Sequence, residues 1–510
     1  MAVFHPSSHP ILSCAEAKAW EAGLLKDETA EWTAMQKAGA AIACALLGDL
    51  REIGGWTAQP RLLVLAGKGH NGGDALLAAG QLLAAVPNLQ ATVLLAHGEP
   101  ALKPLAARAW QQLRANPRVT LRAWADLRAD LSAFDVCLDG IFGFQFRPPV
   151  DPAIGEILSW ANMHPRLRLR AAVDLPSGVG EQSAQQMFWA DFTYATGVVK
   201  SPLLAPASVR AVGRIRYLDL GFFNGHDVPE SADRVLRLAV LKPLARPRPA
   251  LSDKRTYGHL FVIGGSRQYP GAILLTVQAA LRSGVGLLTA FVPQSLALAY
   301  AAQFPEAMWV GLPEADDGSI ASSGWKTLHE KLPQASAVVA GPGLGRHPES
   351  LRLLVEMLGD SPHSTVIDAD AIQLETVAAA RGKPVVFTPH AGEFARVAGA
   401  RDLRGFCRDE KVFTVLKGPV TRVCERDTVY HSFFGGPVLA RGGSGDMLAG
   451  VIGGLLAQDP DKVLLAACRG VVWHGAAADL LAREKGQGPV QASQLLDCFR
   501  PALLSAENEA

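Results

Sequence analysis

Leu62-Leu63-Val64-Leu65-Ala66-Gly67-Lys68-Gly69-His70-Asn71-Gly72-Gly73-Asp74 is an apolar run that passes directly into a glycine-rich loop ending in an acid. Five consecutive apolar residues read as a strand covered on both faces, the pattern of a parallel sheet. Residues 75–86 then read as a helix. Strand, glycine loop and helix in that order open a nucleotide-binding α/β unit, where amides at a helix start face an anion. Asn-Gly also makes plain turns, so this stretch is weighed with its surroundings.

On the N-terminal side, the alanine-rich residues 13–50 read as helix, and Ser13 with Glu16 has capping-box spacing. On the C-terminal side, short apolar strands are expected at 91–95, 134–138, 169–173 and 192–195. Two of them run into an acid, Asp139 and Asp174. In open parallel sheets the carboxyl ends of strands face the ligand crevice, so both acids are placed for chemistry unless they merely cap a turn. Lys242-Pro243-Leu244-Ala245-Arg246-Pro247-Arg248-Pro249 carries three prolines, which remove backbone donors and stiffen the chain, and reads as a linker without helix or sheet. The alternation resumes beyond it. Strands are expected at 259–263, 286–292, 337–340, 365–367, 384–387 and 412–416, with a hairpin of 421–424 and 428–431. A helix over 271–283 carries Ile273, Leu274, Val277 and Leu281 on one face.

A chain of 510 residues exceeds one ordinary core, so two domains are expected, over 1–235 and 236–510. The 49% hydrophobic and 19% charged content suits well-packed domains, and the net charge of +1 gives no support for nucleic acid or a membrane as partner. The cysteines, Cys14, Cys44, Cys137, Cys407, Cys424, Cys468 and Cys498, form no Cys-x-x-Cys pair. Dispersed in this way they read as reduced thiols of a cytoplasmic protein. The first fourteen residues lack the charge and apolar core of a signal peptide, and no uninterrupted apolar run has membrane-spanning length.

The second half concentrates reactive residue types at consecutive strand ends: Gly341-Pro342-Gly343-Leu344-Gly345, Asp368-Ala369-Asp370, Thr388-Pro389-His390-Ala391-Gly392-Glu393 and Lys417-Gly418. The series closes with Ala440-Arg441-Gly442-Gly443-Ser444-Gly445-Asp446, ahead of the apolar run from Met447 to Leu456. Glycines at a helix start admit a phosphate, whereas a carboxylate repels one, so Asp446 reads as a proton-transfer group held beside the anion. Asp368 and Asp370 are either magnesium-linked acids or turn formers. Arg441 either reaches a phosphate or makes a structural ion pair.

With Ile263-Gly264-Gly265-Ser266, these motifs in this order resemble the ADP- or ATP-dependent NAD(P)H-hydrate dehydratases, which are ribokinase-like α/β proteins. The first half resembles the NAD(P)H-hydrate epimerases through Asn71-Gly72-Gly73-Asp74, Asp139, Asp174-Leu175-Pro176-Ser177-Gly178 and Lys200. Together the halves resemble the bifunctional NAD(P)H-hydrate repair enzymes. The resemblance implies an α/β chain, with an N-terminal Rossmann-like three-layer domain and a C-terminal ribokinase-like domain. It implies that the first half interconverts the R and S hydrates of NADH and NADPH (NADHX and NADPHX). The second half would dehydrate the S form at the expense of ADP, giving AMP and phosphate.

The resemblance also assigns residues. Asp446 would be the base of the dehydratase, with Gly443 and Gly445 amides on the transferring phosphate. Ala272, Gly343 and His390 would contact the hydrated cofactor. Lys417, Gly418, Pro419, Val420, Thr421 and Gly445 would contact the nucleotide, which arrives with Mg2+. In the first half, Asn71, Asp139 and Ser177 would hold K+. His70, Asn71, Gly72, Gly73, Asp74 and Gly143 would line the cofactor, and Asp174 would act as acid or base at the epimerising carbon. A homo-oligomer acting on small molecules is the expected assembly. The chain departs from the family pattern at His70 (asparagine), Ala75 (glycine), Phe144-Gln145 (threonine-glycine), Gly436 (asparagine) and Arg441 (threonine). Two other readings stay open: a ribokinase-like vitamin kinase, which would accumulate a phosphorylated product, and a first half that binds nucleotide without turnover.

Overall fold

The computed structural model describes residues 6–507. Packing divides the chain into two units. One comprises His9–Ser231 with Ala482–Gln487; the other comprises Ala232–Leu481 with the described residues 6–8 and 488–507.

In the N-terminal unit, β1 (Ser8–Leu12) is followed by β2 (Arg61–Ala66), β3 (Gln90–Leu95), β4 (Val119–Leu121), β5 (Phe134–Gly140), β6 (Leu167–Val173), β7 (Phe192–Thr196), β8 (Val199–Lys200) and β9 (Arg214–Leu218). Seven of these form one parallel sheet in the order β4-β3-β2-β5-β6-β7-β9. β1 pairs with β8 in parallel, Ile11 opposite Val199 and Leu12 opposite Lys200. The chain runs outward from β2 to one edge and from β5 to the other, so β2 and β5 flank the switch point where α/β sheets bind ligands. Leu62 to Ala66 are fully buried, as their unbroken apolarity predicts.

The segment 13–50 is two helices rather than one. Cys14–Leu24 carries the expected Ser13–Glu16 capping box, and Glu28–Leu50 restarts from an Asp27 side chain that accepts the Ala30 amide. Asp27 competes for backbone donors in this way, which is why it caps a helix instead of continuing one. The helix after β2 starts at His70, not Ala75, and runs to Ala85. His70-Asn71-Gly72-Gly73-Asp74 is therefore its opening, and only Gly67-Lys68-Gly69 is loop.

The C-terminal unit contains β10 (Asp233–Leu236), β11 (His259–Ile263), β12 (Leu287–Pro293), β13 (Met308–Leu312), β14 (Ala337–Ala340), β15 (Ser364–Ile367), β16 (Val385–Phe387), β17 (Phe413–Leu416), β18 (Thr421–Glu425) and β19 (Thr428–Ser432). They pair in the order β13-β12-β11-β14-β15-β16-β17-β18-β19-β10. All neighbours are parallel except β17-β18 and β18-β19, the expected hairpin. Here the switch point lies between β11 and β14. The helix Ser444–Gln458 packs on β11, β14 and β15 and against the helix Pro270–Arg282, with Met447 to Ala457 buried. Part of the expected linker is ordered, because Pro243 lies in a 3-10 segment, Leu238–Leu244. Among the described residues one helix, Val463–Lys485, has the length and apolarity to cross a membrane, but 83% of its most apolar stretch is buried inside the protein, which makes it a core helix.

Candidate active sites

In the N-terminal unit the ends of β2 and β5 touch through backbone. The Gly67 amide donates to the Gly140 carbonyl at 3.1 Å, and a Cβ on Gly67 would lie 1.9 Å from the Ile141 carbonyl oxygen. Glycine is required there for that approach, which sets the helix start against the segment after β5. Asn71 Nδ2 donates to the Phe142 carbonyl at 2.7 Å, and Gly143 packs against the Asn71 side chain. Asp139 is fully buried. One of its oxygens accepts from Ser177 Oγ at 2.7 Å and from the Ile141 amide at 3.1 Å; the other accepts the Ser177 amide at 2.8 Å. Burial pushes its carboxyl up to about 6 against these bonds. Asn71, Asp139 and Ser177 are thus brought together.

Beside them opens a cavity of about 530 Å³ whose lining includes Glu21, Asn71, Asp74, Phe144, Asp174 and Lys200. Lys200 is 1% exposed, and its ammonium donates to Asp174 at 2.8 Å and to the Thr196 carbonyl at 3.3 Å, with Glu21 at 3.4 Å. Burial alone would lower its pKa, but Asp174 and Glu21 outweigh burial and raise it. The ammonium also lies 4.9 Å from the Phe144 ring centroid, so this departure from the family pattern places an aromatic face against the lysine. Asp174 adopts φ +61°, a conformation uncommon outside glycine, while its amide donates to the Tyr194 carbonyl.

Asp74 differs from the other acids. One carboxyl oxygen is sealed from solvent without a hydrogen-bond partner. Burial first, then Asp174 and Glu21, drive its pKa well up, with Lys200 opposing. The helix start favours an anion by about 0.3–1 kcal/mol. The sealed oxygen and the two neighbouring acids oppose this and favour the neutral form. Gly72 and Gly73 are buried away from the cavity, packed against Gly67 and Met35. His70 is half exposed and faces Glu31 at 3.5 Å.

In the C-terminal unit, the loops after β11 and β14 meet at the switch point: the Gly265 amide donates to the Pro342 carbonyl at 2.9 Å. Gly343 has φ +66°, and a Cβ there would lie 3.0 Å from that of Ala272. Gly341 has φ +121°, and a Cβ there would sit 1.9 Å from the Asp368 carbonyl oxygen. Buried Asp368 accepts from Thr388 Oγ1 at 2.7 Å and from Lys417 Nζ at 2.9 Å. Asp370 instead pairs with Arg346 at 2.9 Å.

The Lys417 ammonium reaches the mouth of the helix Ser444–Gln458, where a Cβ on Gly445 would meet it at 3.2 Å. Asp446 lies in the first turn, after Gly443 at φ +91°. Burial, then Asp368, raise its carboxyl to about 6, with Lys417 opposing. Lys417 itself is raised, because Asp368, Glu393 and Asp446 outweigh burial. The first amides of a helix have no intrahelical acceptor, so this mouth offers donors beside an ammonium and a carboxyl near neutrality.

His390 caps the helix Ala391–Ala398: its Nδ1 accepts the Gly392 amide at 3.0 Å, while its ring stays largely exposed. It adjoins Lys417, whose amide donates to the Pro389 carbonyl at 2.8 Å. Gly418 and Pro419 are exposed in the turn before β18. The Arg441 guanidinium donates to the carbonyls of Val438 and Val490 and ties the loop down. Ala272, Gly343, Asp368, His390, Lys417, Gly445 and Asp446 thus sit on adjoining elements around the strand ends.

Comparison with known proteins adds to this geometry. Residues 260–500 match the family model described as NAD(P)H-hydrate dehydratase, and residues 33–201 match that of the YjeF-related protein N-terminus. A bifunctional NAD(P)H-hydrate repair enzyme of Gloeobacter violaceus is 34% identical over 498 residues, which cover 92% of this chain and 93% of that protein. The chain belongs to the family of bifunctional NAD(P)H-hydrate repair enzymes. A relative of the same description from Moorella thermoacetica is 32% identical, covering 90% of each chain. Among solved structures, an ADP/ATP-dependent NAD(P)H-hydrate dehydratase from Bacillus subtilis, co-crystallised with ATP and Mg2+, is 28% identical. It covers 53% of this chain and 97% of its own, with a TM-score of 0.44.

Two residues escaped the sequence. Glu21 sits in an alanine-rich helix with no spacing relation to Asp174 or Lys200. His474, in the core helix Val463–Lys485, is buried beside the Ser444 backbone; burial pushes its pKa down to about 4, so a neutral imidazole borders the mouth of the Asp446 helix. A histidine on an apolar helix carries no sign of this.

Proposed function

We propose that the two units carry out successive steps of one repair, and that the groups described above perform them. In the C-terminal unit, Asp446 takes the proton from the hydroxyl of the S hydrate as that oxygen attacks the terminal phosphorus of ADP. The P–O bond to AMP breaks, and its electron pair leaves with AMP. The phosphorylated hydroxyl then departs as phosphate, driven by the ring nitrogen lone pair. Loss of a proton from the adjacent carbon restores the ring double bond and so NADH or NADPH. Amides of Gly443 and Gly445 and the Lys417 ammonium stabilise charge on the moving phosphoryl group. Ala272, Gly343 and His390 seat the hydrated cofactor, and the turn from Gly418 to Thr421 meets the nucleotide.

The observation that carries this reading is the placement of Asp446: a carboxyl raised to about 6 in the first turn of a glycine-started helix, with Lys417 over Gly445. The test is incubation with S hydrate and ADP. AMP and phosphate should form in equal amounts with reduced nicotinamide, whereas a kinase would leave a phosphorylated product.

Magnesium fits as a companion of the nucleotide rather than a resident ion. Among the described residues no group of three His, Cys, Asp or Glu side chains is placed to hold a metal, and Asp368 is taken by Lys417 and Thr388. In the N-terminal unit, Asp174 serves as acid or base in epimerisation. Asn71, Asp139 and Ser177 suit K+, because an amide, a carboxylate and a hydroxyl offer hard oxygen donors to a hard cation. The ion would supply a fixed positive charge near the cofactor. Free cysteines throughout the described residues agree with a reducing, cytoplasmic setting.

A further inference from the structure

The cavity of the N-terminal unit holds three carboxyl groups around one ammonium. Glu21 comes from the first helix, Asp74 from the helix after β2, and Asp174 from the end of β6, with Lys200 from β8 between them. Lys200 spends its donors on Asp174, Thr196 and Glu21. Asp74 receives none, and one of its oxygens is shut off from solvent without a partner. A carboxylic acid bears that position better than a carboxylate, and in the neutral form it has a proton to give. Asp174 instead accepts from the Lys200 ammonium at 2.8 Å. One cavity thus contains a proton donor and a proton acceptor on different elements.

We propose that Asp74 is a second catalytic residue of the epimerase, working as the acid while Asp174 works as the base. This rests on the epimerase reading of the N-terminal unit. In the forward sense, Asp74 gives its proton to the hydroxyl of the hydrate. The C–O bond breaks with its pair on oxygen, water leaves, and the ring nitrogen lone pair forms a C=N+ bond. Water adds to the opposite face of that carbon and gives a proton to Asp174. The electron pair returns to nitrogen, leaving the other epimer. Asp74 is now ionised and Asp174 protonated, which is the pair required for the reverse conversion. Glu21 shares the ammonium with Asp174 and keeps Lys200 in place through both states.

The groups that set the protonation of Asp74 are Asp174, Glu21 and Lys200. Cys14 and Glu181 lie in the next layer, where Cys14 donates its amide to Glu181 and feels both Asp174 and Lys200. Asp74 and Asp174 act in sequence, so removal of either should lower kcat, whereas loss of a residue that only grips the cofactor should raise KM.

The experiment follows R hydrate through the full-length protein, with dehydration of purified S hydrate as the measure of correct folding. Wild type should consume R hydrate faster than it epimerises spontaneously, and in isotopically labelled water the S product should carry solvent oxygen. Asp74→Asn should lose about 100-fold or more in kcat with little change in KM. It should also lose the alkaline limb of the pH profile that wild type shows when its acid ionises, while Asp74→Glu restores part of the rate. A KM increase at unchanged kcat, an alkaline limb that persists in Asp74→Asn, or retention of the original oxygen would overturn the proposal and leave the epimerase reading standing. Failure of wild type to outpace spontaneous epimerisation would overturn that reading, and the proposal with it.

Discussion

Lys417 Nζ lies 2.9 Å from Asp368 Oδ1 and also overhangs Gly445, so one ammonium joins a buried strand-end acid to the start of the Asp446 helix. Asp368 orients Lys417 and holds it charged; Lys417 in turn opposes the rise in the Asp446 pKa that burial and Asp368 cause. The site is balanced between a group that needs to be ionised and surroundings that resist ionisation.

That balance has a pH signature. Asp446 must be ionised to accept a proton, so kcat/KM for S hydrate should fall tenfold per pH unit below about 6 and level off above it. The stability consequence has the opposite sense. The unfolded carboxyl ionises near 3.8 and the folded one near 6, so its contribution to stability is fullest below the unfolded value and is lost as pH rises through the folded one. Asp446→Asn should therefore stabilise the ligand-free protein at pH 7, by up to about 3 kcal/mol. Thermal melts at pH 7 and pH 4 check this, since the gain should shrink at the lower pH.

Gly341 is where backbone geometry holds Asp368 in place. Gly341→Ala would drive a Cβ into the Asp368 carbonyl oxygen, 1.9 Å away, at a φ that side chains rarely adopt. The strand end must move, at a cost of about 2–4 kcal/mol. Denaturant unfolding should show that loss, and dehydration should slow while R-hydrate epimerisation survives in the folded fraction.

In the N-terminal unit, Lys200→Met would leave Asp174 and Glu21 facing each other without their cation. Breaking a buried pair from one side costs about 3–5 kcal/mol. Urea unfolding should report a loss of that order, and epimerisation should be abolished. An unchanged midpoint would mean that the ammonium is not compensating these acids.

The potassium assignment predicts that K+ stabilises the protein through Asp139. Melting temperature should rise with K+ and less with Li+, and Asp139→Asn should remove the difference. An equal response in wild type and variant would place the ion elsewhere.

Much of this was legible in the sequence, for identifiable reasons. Strands buried on both faces are unbroken apolar runs, so 62–66 and 337–340 were readable directly. Acids and glycines at their ends had to lie along the carboxyl edge of a sheet, and Asp139, Asp368 and Lys417 do. What was lost turns on local competition. The Asp27 side chain takes the Ala30 amide and splits one expected helix into two. Gly72 and Gly73 look like loop glycines but sit inside a helix, small because Gly67 and Met35 press on them. The short strands β8 and β10 carry too few residues for a pattern. Glu21 and His474 act through neighbours distant in the chain, and no periodicity records that.

The most direct test of the central claim is ADP-dependent recovery of reduced nicotinamide absorbance from purified S hydrate by wild type and Asp446→Asn, with ADP binding measured on both. The account predicts that the variant binds ADP with near wild-type affinity and turns over about 10²–10⁴-fold more slowly or not at all. Turnover at the wild-type rate with Asn at 446 would contradict it.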